Sequence, residues 1–180
     1  MASINDIANA FSSYPPLRTN KYEVYINFPS ASSQGFVGPV WATSVNLPGR
    51  SLSTVERRTF GPQRDMPYER LFSGDLEVTF ILNKGAPLRT YFEEWMDLII
   101  DPTTNRIKNS RQDYLGELEI DLLSDDNDVE YSITVEEVFP KSIGPVPLSY
   151  RSENEIAEQQ ISFSFRNYRQ RNASDDGGGI

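Results

Sequence analysis

Cysteine and histidine are both absent from this 180-residue chain, and together the two absences exclude most catalytic chemistry. Without cysteine there is no disulfide framework and no reactive thiol. Without histidine as well, the chain cannot build an imidazole or thiolate metal site, a Ser-His-Asp triad or a Cys-His dyad. Only carboxylates, Lys, Tyr and Ser remain as candidate catalytic groups.

Long apolar runs are also missing. No window approaches the ~20 consecutive apolar residues that a helix needs to cross a bilayer, so no membrane-spanning segment and no membrane partner are expected. The first eleven residues, MASINDIANAF, lack the basic region and following apolar run that mark a secretory signal.

Basic residues are in the minority, with 17 Lys and Arg against 26 Asp and Glu and a formal net charge of −9. Tight binding of duplex DNA depends largely on neutralising its phosphates, so this chain is not expected to bind DNA tightly. A role in repelling DNA is compatible with the same charge. The length predicts a single domain, residues 1–168, that buries roughly 70% of its unfolded surface. Residues 169–180 are predicted to form a flexible C-terminal tail.

Apolar and polar residues alternate over several short stretches, which is typical of half-buried β-strands. These stretches are residues 21–28, 75–82, 117–122, 129–136 and 161–165. A further strand over residues 36–45 is interrupted by Gly38-Pro39, which predicts a bulge or an edge position. Apolar residues at i, i+3, i+4, i+7, i+10 and i+11 from Leu88 predict one amphipathic helix, and a second, shorter helix is expected over residues 3–11.

The hairpin of residues 117–136 has one apolar face and one face that is mostly acidic. The acidic positions are Glu117, Glu119, Asp121, Glu130 and Glu136. Because unpaired carboxylates are costly to bury, this face must contact water, either as an outer surface or as the wall of a water-filled passage. The acidic turn of residues 124–128 lacks the ligand register of a calcium loop, and neither a metal nor a cofactor is expected.

Residues 47–71 are predicted to form a long, basic loop. The segment carries five arginines, Arg50, Arg57, Arg58, Arg64 and Arg70, and three acids. Its three prolines and two glycines exclude a continuous helix or central strand, and only residues 52–60 are predicted to be extended. A loop of this length is usually functional or disordered. Its apolar side chains favour an ordered segment that lies on a surface, either of its own body or of another copy.

The order of these elements, together with local motifs, resembles that of the tail tube proteins of contractile-tailed bacteriophages. The motifs are residues 42–49 (ATSVNLPG), 70–72 (RLF), 77–80 (EVTF), 92–95 (FEEW), 138–144 (VFPKSIG), 148–150 (LSY), 152–156 (SENEI) and 161–165 (ISFSF). The resemblance extends over roughly residues 4 to 168, and its specificity comes from the order and spacing of the motifs together.

This resemblance implies a fold class that is mainly β with one flanking helix, a β-sandwich or barrel. It implies that strands of neighbouring subunits join a continuous barrel in a hexameric ring, and that rings stack into the inner tube of a contractile tail. The implied function is structural and not enzymatic: the tube is the conduit for genome ejection. A sheath protein would lie outside it, and a tape-measure protein and then DNA would pass through the lumen. The implied location is the virion, after assembly in the host cytoplasm.

The resemblance also implies roles for the charged residues. Glu117, Glu119, Asp121, Glu130 and Glu136 are expected to line the lumen, where they would repel phosphate and let DNA slide. Arg50, Arg57, Arg58, Arg64 and Arg70 are expected to form a stitch between rings. Of these, Arg57, Arg58 and Arg64 are predicted to pair with acids of the adjacent ring. Phe92 and Trp95 are expected to anchor the helix against the sheet.

Other functions remain open at this point. Within the same class, the chain is compatible with a ring at one end of the tail, a tube initiator or terminator, or with the inner tube of a type VI-like secretion machine. A ligand-binding β-sandwich would use Tyr14, Tyr22, Tyr25 and Trp41 as stacking faces. An enzyme is disfavoured, because neighbouring acids such as Glu93 and Glu94 point in different directions on a helix.

Overall fold

The computed structural model describes residues 17–32, 36–58, 61–150 and 156–171. The predicted helix over residues 3–11 lies outside this part of the chain. The described residues form ten strands and two helices, which confirms a fold that is mainly β. Neither of these two helices is long and apolar enough to span a membrane.

The elements follow one another as strands interrupted once by a helical region. The strands are β1 Tyr22–Asn27, β2 Phe36–Val40, β3 Ala42–Val45, β4 Gly49–Arg57, β5 Arg64–Ser73, β6 Leu76–Ile81, β7 Gly116–Leu123, β8 Val129–Ile143, β9 Glu158–Ser164 and β10 Asn167–Arg171. The helices are α1 Pro87–Ile99 and α2 Arg111–Tyr114. The helix α1 is the one predicted, with Pro87 in its first turn, and the four-residue α2 was not predicted.

Eight strands form one antiparallel sheet in the order β2-β1-β7-β8-β9-β6-β3, with β10 also paired to β8. Strands β2 and β3 lie at opposite ends of this order although only Trp41 separates them in the chain. The sheet therefore curves round until its two ends meet at one corner. The Ile81 amide donates to the Trp41 carbonyl at 2.8 Å and ties this corner to β6.

The prediction of one strand over residues 36–45 is wrong in one respect, because the chain turns at Trp41 and forms two strands. The irregularity expected from Gly38-Pro39 is present: the register between β1 and β2 shifts between Val24 and Ile26. The peptide between Gly38 and Pro39 is cis. Strand β2 also ends the strand order, as its proline predicts.

The 15-residue β8 pairs with β10 along its first part and with β9 along its second part. A bulge at Glu137 separates the two parts and changes which face of the sheet the following side chains point to. Glu137 has φ 52°, in the left-handed region. Before it, Ile133 and Val135 are buried, and after it Val138 and Pro140 are buried instead. The segment before this bulge pairs with β10 and the segment after it pairs with β9, while β7 lies along the other side.

The core lies between the apolar faces of the sheet and helix α1. Phe92 and Trp95 of α1 are buried, and the Phe28 and Trp95 ring centroids are 5.1 Å apart. The indole Nε1 of Trp95 donates to the Tyr114 carbonyl at 2.7 Å. A Cβ at Gly116 would lie 2.7 Å from the indole, so only glycine lets β7 pass this close. The predicted anchoring of the helix by Phe92 and Trp95 is confirmed.

The segment predicted as a long loop is a two-stranded hairpin, here called the arm, residues 49–73. Strands β4 and β5 pair with each other and with no other described strand. The prediction that only residues 52–60 are extended is therefore wrong. Pro67 is accommodated inside β5 because the register shifts between Ser53 and Thr54, which breaks the regular ladder at this point.

The predicted flexible tail is also wrong over its first three residues. Residues 169–171 belong to β10, which pairs with residues 132–136 of β8. Residues 172–180 lie outside the described part of the chain.

Candidate functional site: a charged sheet face and the arm

One face of β1, β7 and β8 gathers acidic side chains. The register places Glu23 opposite Asp121, Tyr25 opposite Glu119 and Asn27 opposite Glu117. The acids that alternate outward on these strands are Glu23, Glu117, Glu119, Asp121 and Glu136. Four of the five acids that the sequence predicted thus share this face, here called the acidic face, and Glu23 joins them from β1. Glu130 is exposed and lies where the register between β7 and β8 shifts, so the pairing does not assign it to this face.

Tyr25 lies among the carboxylates of the acidic face. Its hydroxyl donates to Glu23 Oε2 at 2.6 Å. This hydrogen bond, then partial burial, then the negative charges of Glu23, Asp121 and Glu119, raise the pKa of Tyr25 to about 12. Deprotonation would place a further negative charge among carboxylates, so the phenol stays neutral.

Two arginines of β10 reduce the charge of this face, and sequence reasoning missed both. Arg169 forms an ion pair with Glu136, and Arg171 Nη1 lies 3.4 Å from Glu119 Oε2. Glu23, Glu117 and Asp121 form no ion pair with a described residue, so two guanidiniums stand against the five carboxylates of this face. The Arg-x-Arg spacing, which puts both side chains on one side of a strand, was the available signal.

Glu137, at the bulge, holds two further elements together. Arg166 Nη1 lies 2.5 Å from one of its carboxylate oxygens and Arg111 Nη2 lies 2.8 Å from the other. The hydrogen bond from Arg166 is the main cause that lowers the pKa of Glu137 below its ordinary value. The bulge is thus tied both to α2 and to the start of β10.

Within the described ranges, no three Asp or Glu side chains come close enough to hold a metal ion together.

The base of the arm is fixed to β10 through Arg50. Its Nη2 donates to the Tyr168 carbonyl at 2.5 Å, and its guanidinium carbon lies 4.0 Å from the centre of the Tyr168 ring. The Phe72 ring packs edge-on against Tyr168 and Phe165, with centroids 5.7 and 6.2 Å away. Arg50 thus has partners within its own chain, which the sequence did not predict.

The five predicted stitch arginines divide into two groups. Arg50 lies at the base, and so does Arg70, which lines a groove beside Phe72, Glu136 and Glu137. Arg57, Arg58 and Arg64 lie at the far end of the arm, are exposed, and form no ion pair with any described residue.

The far end of the arm places like charges opposite each other. Glu56 is paired in register with Asp65, and Arg57 with Arg64. Like charges directly across a strand pair are destabilising. Of these four residues, only Glu56 has a side-chain partner in the part of the chain that the structure describes, since it accepts a hydrogen bond from Gln63. Neither of these like-charge pairs, here called the like-charge rows, therefore forms an ion pair with an opposite charge of the described chain.

The arm also exposes apolar side chains that a monomer leaves in water. Val55 and Met66 are paired in register and are 46% and 49% exposed. Leu52, Tyr68 and Leu71 are exposed as well. Contiguous apolar groups on a projecting element with charged neighbours are typical of a surface that binds another protein.

Comparison with known proteins identifies relatives of this fold. A family model described as phage tail tube protein matches residues 17–171. The chain is also similar to one in the cryo-EM structure of the anti-feeding prophage baseplate, six-fold symmetrised, with a TM-score of 0.64 and 13% identity over 87% of this chain and 95% of that chain. It is similar to one in the tube-terminating cap of the same particle, with a TM-score of 0.61 and 22% identity over 88% and 92%.

A third similar structure is the sheath–tube complex of an extracellular contractile injection system, PVC, in the extended state. The TM-score is 0.59, and the identity is 18% over 95% of this chain and 99% of that chain. At these identities the similarity shows a shared fold. Among curated proteins, none matches the chain in sequence.

Proposed function

Because this chain belongs to the phage tail tube protein family, we propose that it assembles as stacked hexameric rings into the inner tube of a contractile tail. In this role the tube is the conduit for genome ejection. The observation that carries the proposal is the arm: a hairpin that is clamped at its base and whose apolar and charged side chains are exposed beyond it. A monomer gains little from such an element, whereas a stacked assembly can bury it.

The acidic face, together with Glu130, is proposed to line the lumen through Glu117, Glu119, Asp121, Glu130 and Glu136. Support comes from the face that Glu117, Glu119, Asp121 and Glu136 share. The charges of Asp121 and Glu119 also contribute to the raised pKa of Tyr25, after its hydrogen bond to Glu23 and its burial. Repeated around a ring, the negative field of these carboxylates repels phosphate, so DNA passes without binding at each level. Arg169 and Arg171 moderate this field and keep neighbouring carboxylates from repelling one another fully.

The end of the arm is proposed to be the inter-ring stitch. Arg57, Arg58 and Arg64 would pair with acids of the adjacent ring, which would supply the compensation that the like-charge rows lack. Arg50 and Arg70, predicted as part of the same contact, are better placed to hold the base of the arm on β10.

The remaining partners follow from the same proposal. A tail sheath protein would cover the outside, and a tape-measure protein and then DNA would occupy the lumen. The protein would be found in the virion after assembly in the host cytoplasm. Its role would be structural, and the proposal assigns no catalytic step and no cofactor to the chain.

Electron microscopy of the purified protein over a concentration series tests the assembly directly. Six-fold rings that stack into tubes of indefinite length are the expected result. A protein that stays monomeric at every concentration, with the arm exposed, would contradict the proposal.

A charge reversal tests the stitch. Arg57→Glu combined with Arg58→Glu should leave single rings soluble but prevent stacking, because four units of charge change at the contact. Arg106→Glu combined with Lys108→Glu is the matched control, since both residues are exposed and the charge change is equal. Normal tube growth by the arm variant would remove the arm from the stacking contact.

A neutralisation tests the lumen. Glu117→Gln with Glu130→Gln should make assembled tubes retain short DNA at low salt, while Glu77→Gln with Asp97→Asn, which changes charge equally elsewhere, should not. Equal DNA retention by the two variants would show that the acidic face is not the wall of the passage.

A ring that ends the tube is the second candidate function. It is favoured by the similarity of the fold to the tube-terminating cap of the anti-feeding prophage. Single rings without tubes at high concentration would support this candidate over a tube body.

A further inference from the structure

An apolar groove opens at the corner where β2 passes into β3. It runs between this corner and the first turns of α1. Its walls include Val37, Trp41, Ile81, Asn83, Leu88 and Tyr91. Trp41 lines this groove and is 66% exposed. Tryptophan is enriched among the residues that dominate the binding energy of protein interfaces.

We propose that this groove receives the arm of a second copy of the chain. Val55 and Met66 of that arm lie against Trp41, and the arginine row beyond them pairs with Glu94 of α1. The inference rests on the proposed function, because it names the surface on the neighbouring subunit that the arm contacts.

The arm of the same chain is not placed to fill the groove. Its base is held on β10 by the contact of Arg50 with Tyr168, while the groove belongs to the corner at Trp41. In the described chain Val55, Met66 and Trp41 all remain exposed. Bringing a projecting apolar pair and a recessed apolar surface together removes both from water, which stabilises the contact in proportion to the area buried.

The charges near the two surfaces are complementary. Glu94 is exposed and forms no ion pair with a described residue. It follows Tyr91, a groove residue, by three positions, so the two side chains are neighbours on one side of α1. At the end of the arm, Arg57 and Arg64 face each other without compensation. A carboxylate at the end of the groove would relieve that repulsion.

The spacing of apolar and charged groups also agrees on the two surfaces. Arg57 and Arg64 lie two residues beyond Val55 and Met66 along their strands, which is a distance of about 6.7 Å. Glu94 lies three residues beyond Tyr91 along the helix, which is an axial distance of about 4.5 Å. The reach of an arginine side chain spans the difference. An arm that lies along α1 with Val55 and Met66 beside Tyr91 therefore brings its arginine row to Glu94.

The absence of cysteine makes the contact easy to test by cross-linking. Copies carrying Val55→Cys are mixed with copies carrying Asn83→Cys, which lies in the groove wall and is exposed, and a short bifunctional maleimide is added under assembling conditions. A cross-linked dimer should form in the mixture and not with either variant alone. Val55→Cys mixed with Val129→Cys, an exposed residue at the β7–β8 turn, is the control for random collision. Equal yields from the two mixtures, or no dimer in the first, would overturn the proposal.

A charge swap tests the ion pair separately. Glu94→Arg should raise the protein concentration needed for assembly about tenfold, and adding Arg64→Glu to the same chain should restore it. Glu77→Arg, at an exposed acid of β6 that is not a groove residue, should have little effect. If Glu94→Arg leaves assembly unchanged while the Arg57 and Arg58 reversal still prevents stacking, the arm contacts another surface and only this inference fails. If the unmodified chain never assembles, the proposed function fails instead.

Discussion

Replacing Gly116 with alanine should destabilise the fold by about 2 kcal/mol, because β7 passes directly over the indole of Trp95. A Cβ at this position would lie 2.6 Å from the Asn27 carbonyl oxygen and 2.7 Å from the indole. Neither neighbour can move freely. The Asn27 oxygen belongs to the backbone of β1, and the indole is held by its hydrogen bond to the Tyr114 carbonyl.

The magnitude follows from three contributions. An extra methyl group in a packed core costs about 1–3 kcal/mol. If the indole moves and its buried N–H loses its partner, about 1–3 kcal/mol is added. Alanine reduces the entropy of the unfolded chain relative to glycine, which offsets about 0.4–1 kcal/mol. The sum is a loss of about 2 kcal/mol if the indole keeps most of its hydrogen bond.

Urea unfolding of dilute, unassembled protein measures this loss through tryptophan fluorescence. The chain has two tryptophans, and Trp41→Phe removes the exposed one so that the signal comes from Trp95. Gly144→Ala is the matched control, because its Cβ would meet its nearest atom at 3.1 Å and so needs a smaller adjustment. A Gly116→Ala variant as stable as the Gly144→Ala variant would refute the packing argument.

Three smaller predictions concern charged and titrating groups. Folding raises the Tyr25 pKa from 10.0 to about 12, so the stability contributed by the neutral phenol is complete below pH 10 and lost as pH rises through 12. Glu23→Gln should move the pKa of this tyrosine, measured by spectroscopic titration, back towards 10. The depressed pKa of Glu137 contributes stability that is present above pH 4.5 and lost as pH falls below it, so Glu137→Gln should flatten the acid limb of the stability profile. Arg50→Ala should speed tryptic cleavage in the arm about two- to fivefold, because it removes the cation–π contact with Tyr168, and an unchanged digestion rate would argue against that anchor.

The elements that the sequence predicted well are those whose pattern is set by a single buried face. Val24, Ile26 and Phe28 alternate with polar residues, and each is buried in β1 or just after it. The stripe of α1 is equally regular, because one side of the helix packs on the core. In both cases hydrophobic periodicity alone determines which side chains face inward.

The arm was mispredicted because no buried face marks its strands. Its side chains are exposed on both sides, so β4 and β5 show no alternation, and Pro67 argues against a regular strand unless a bulge is foreseen. The hairpin is held together by hydrogen bonds between backbone groups, and these do not depend on residue type, so the sequence does not indicate them. The apolar residues of the segment did signal that it needs a surface to rest on.

The bulge and the last strand escaped prediction for a related reason. Glu137 adopts a left-handed backbone that its residue type does not favour, so the change of face within β8 is visible only in the pairing. Strand β10 is polar and follows a single turn after β9, and its arginines resemble those of a solvated tail until their partners Glu119 and Glu136 are placed beside them. The acidic face was predictable residue by residue, but its counter-charges were not.

The position of β10 bears on how this protein can be shortened. A chain cut after Phe165 would leave the amide and carbonyl groups of residues 132–136 without the strand that now covers them. It would also lose the two guanidiniums that reduce the charge beside them. An unpaired strand edge of this kind is a template for aggregation. A truncation that removes β10 is therefore expected to lower solubility. Ending the chain after Arg171 keeps that protection.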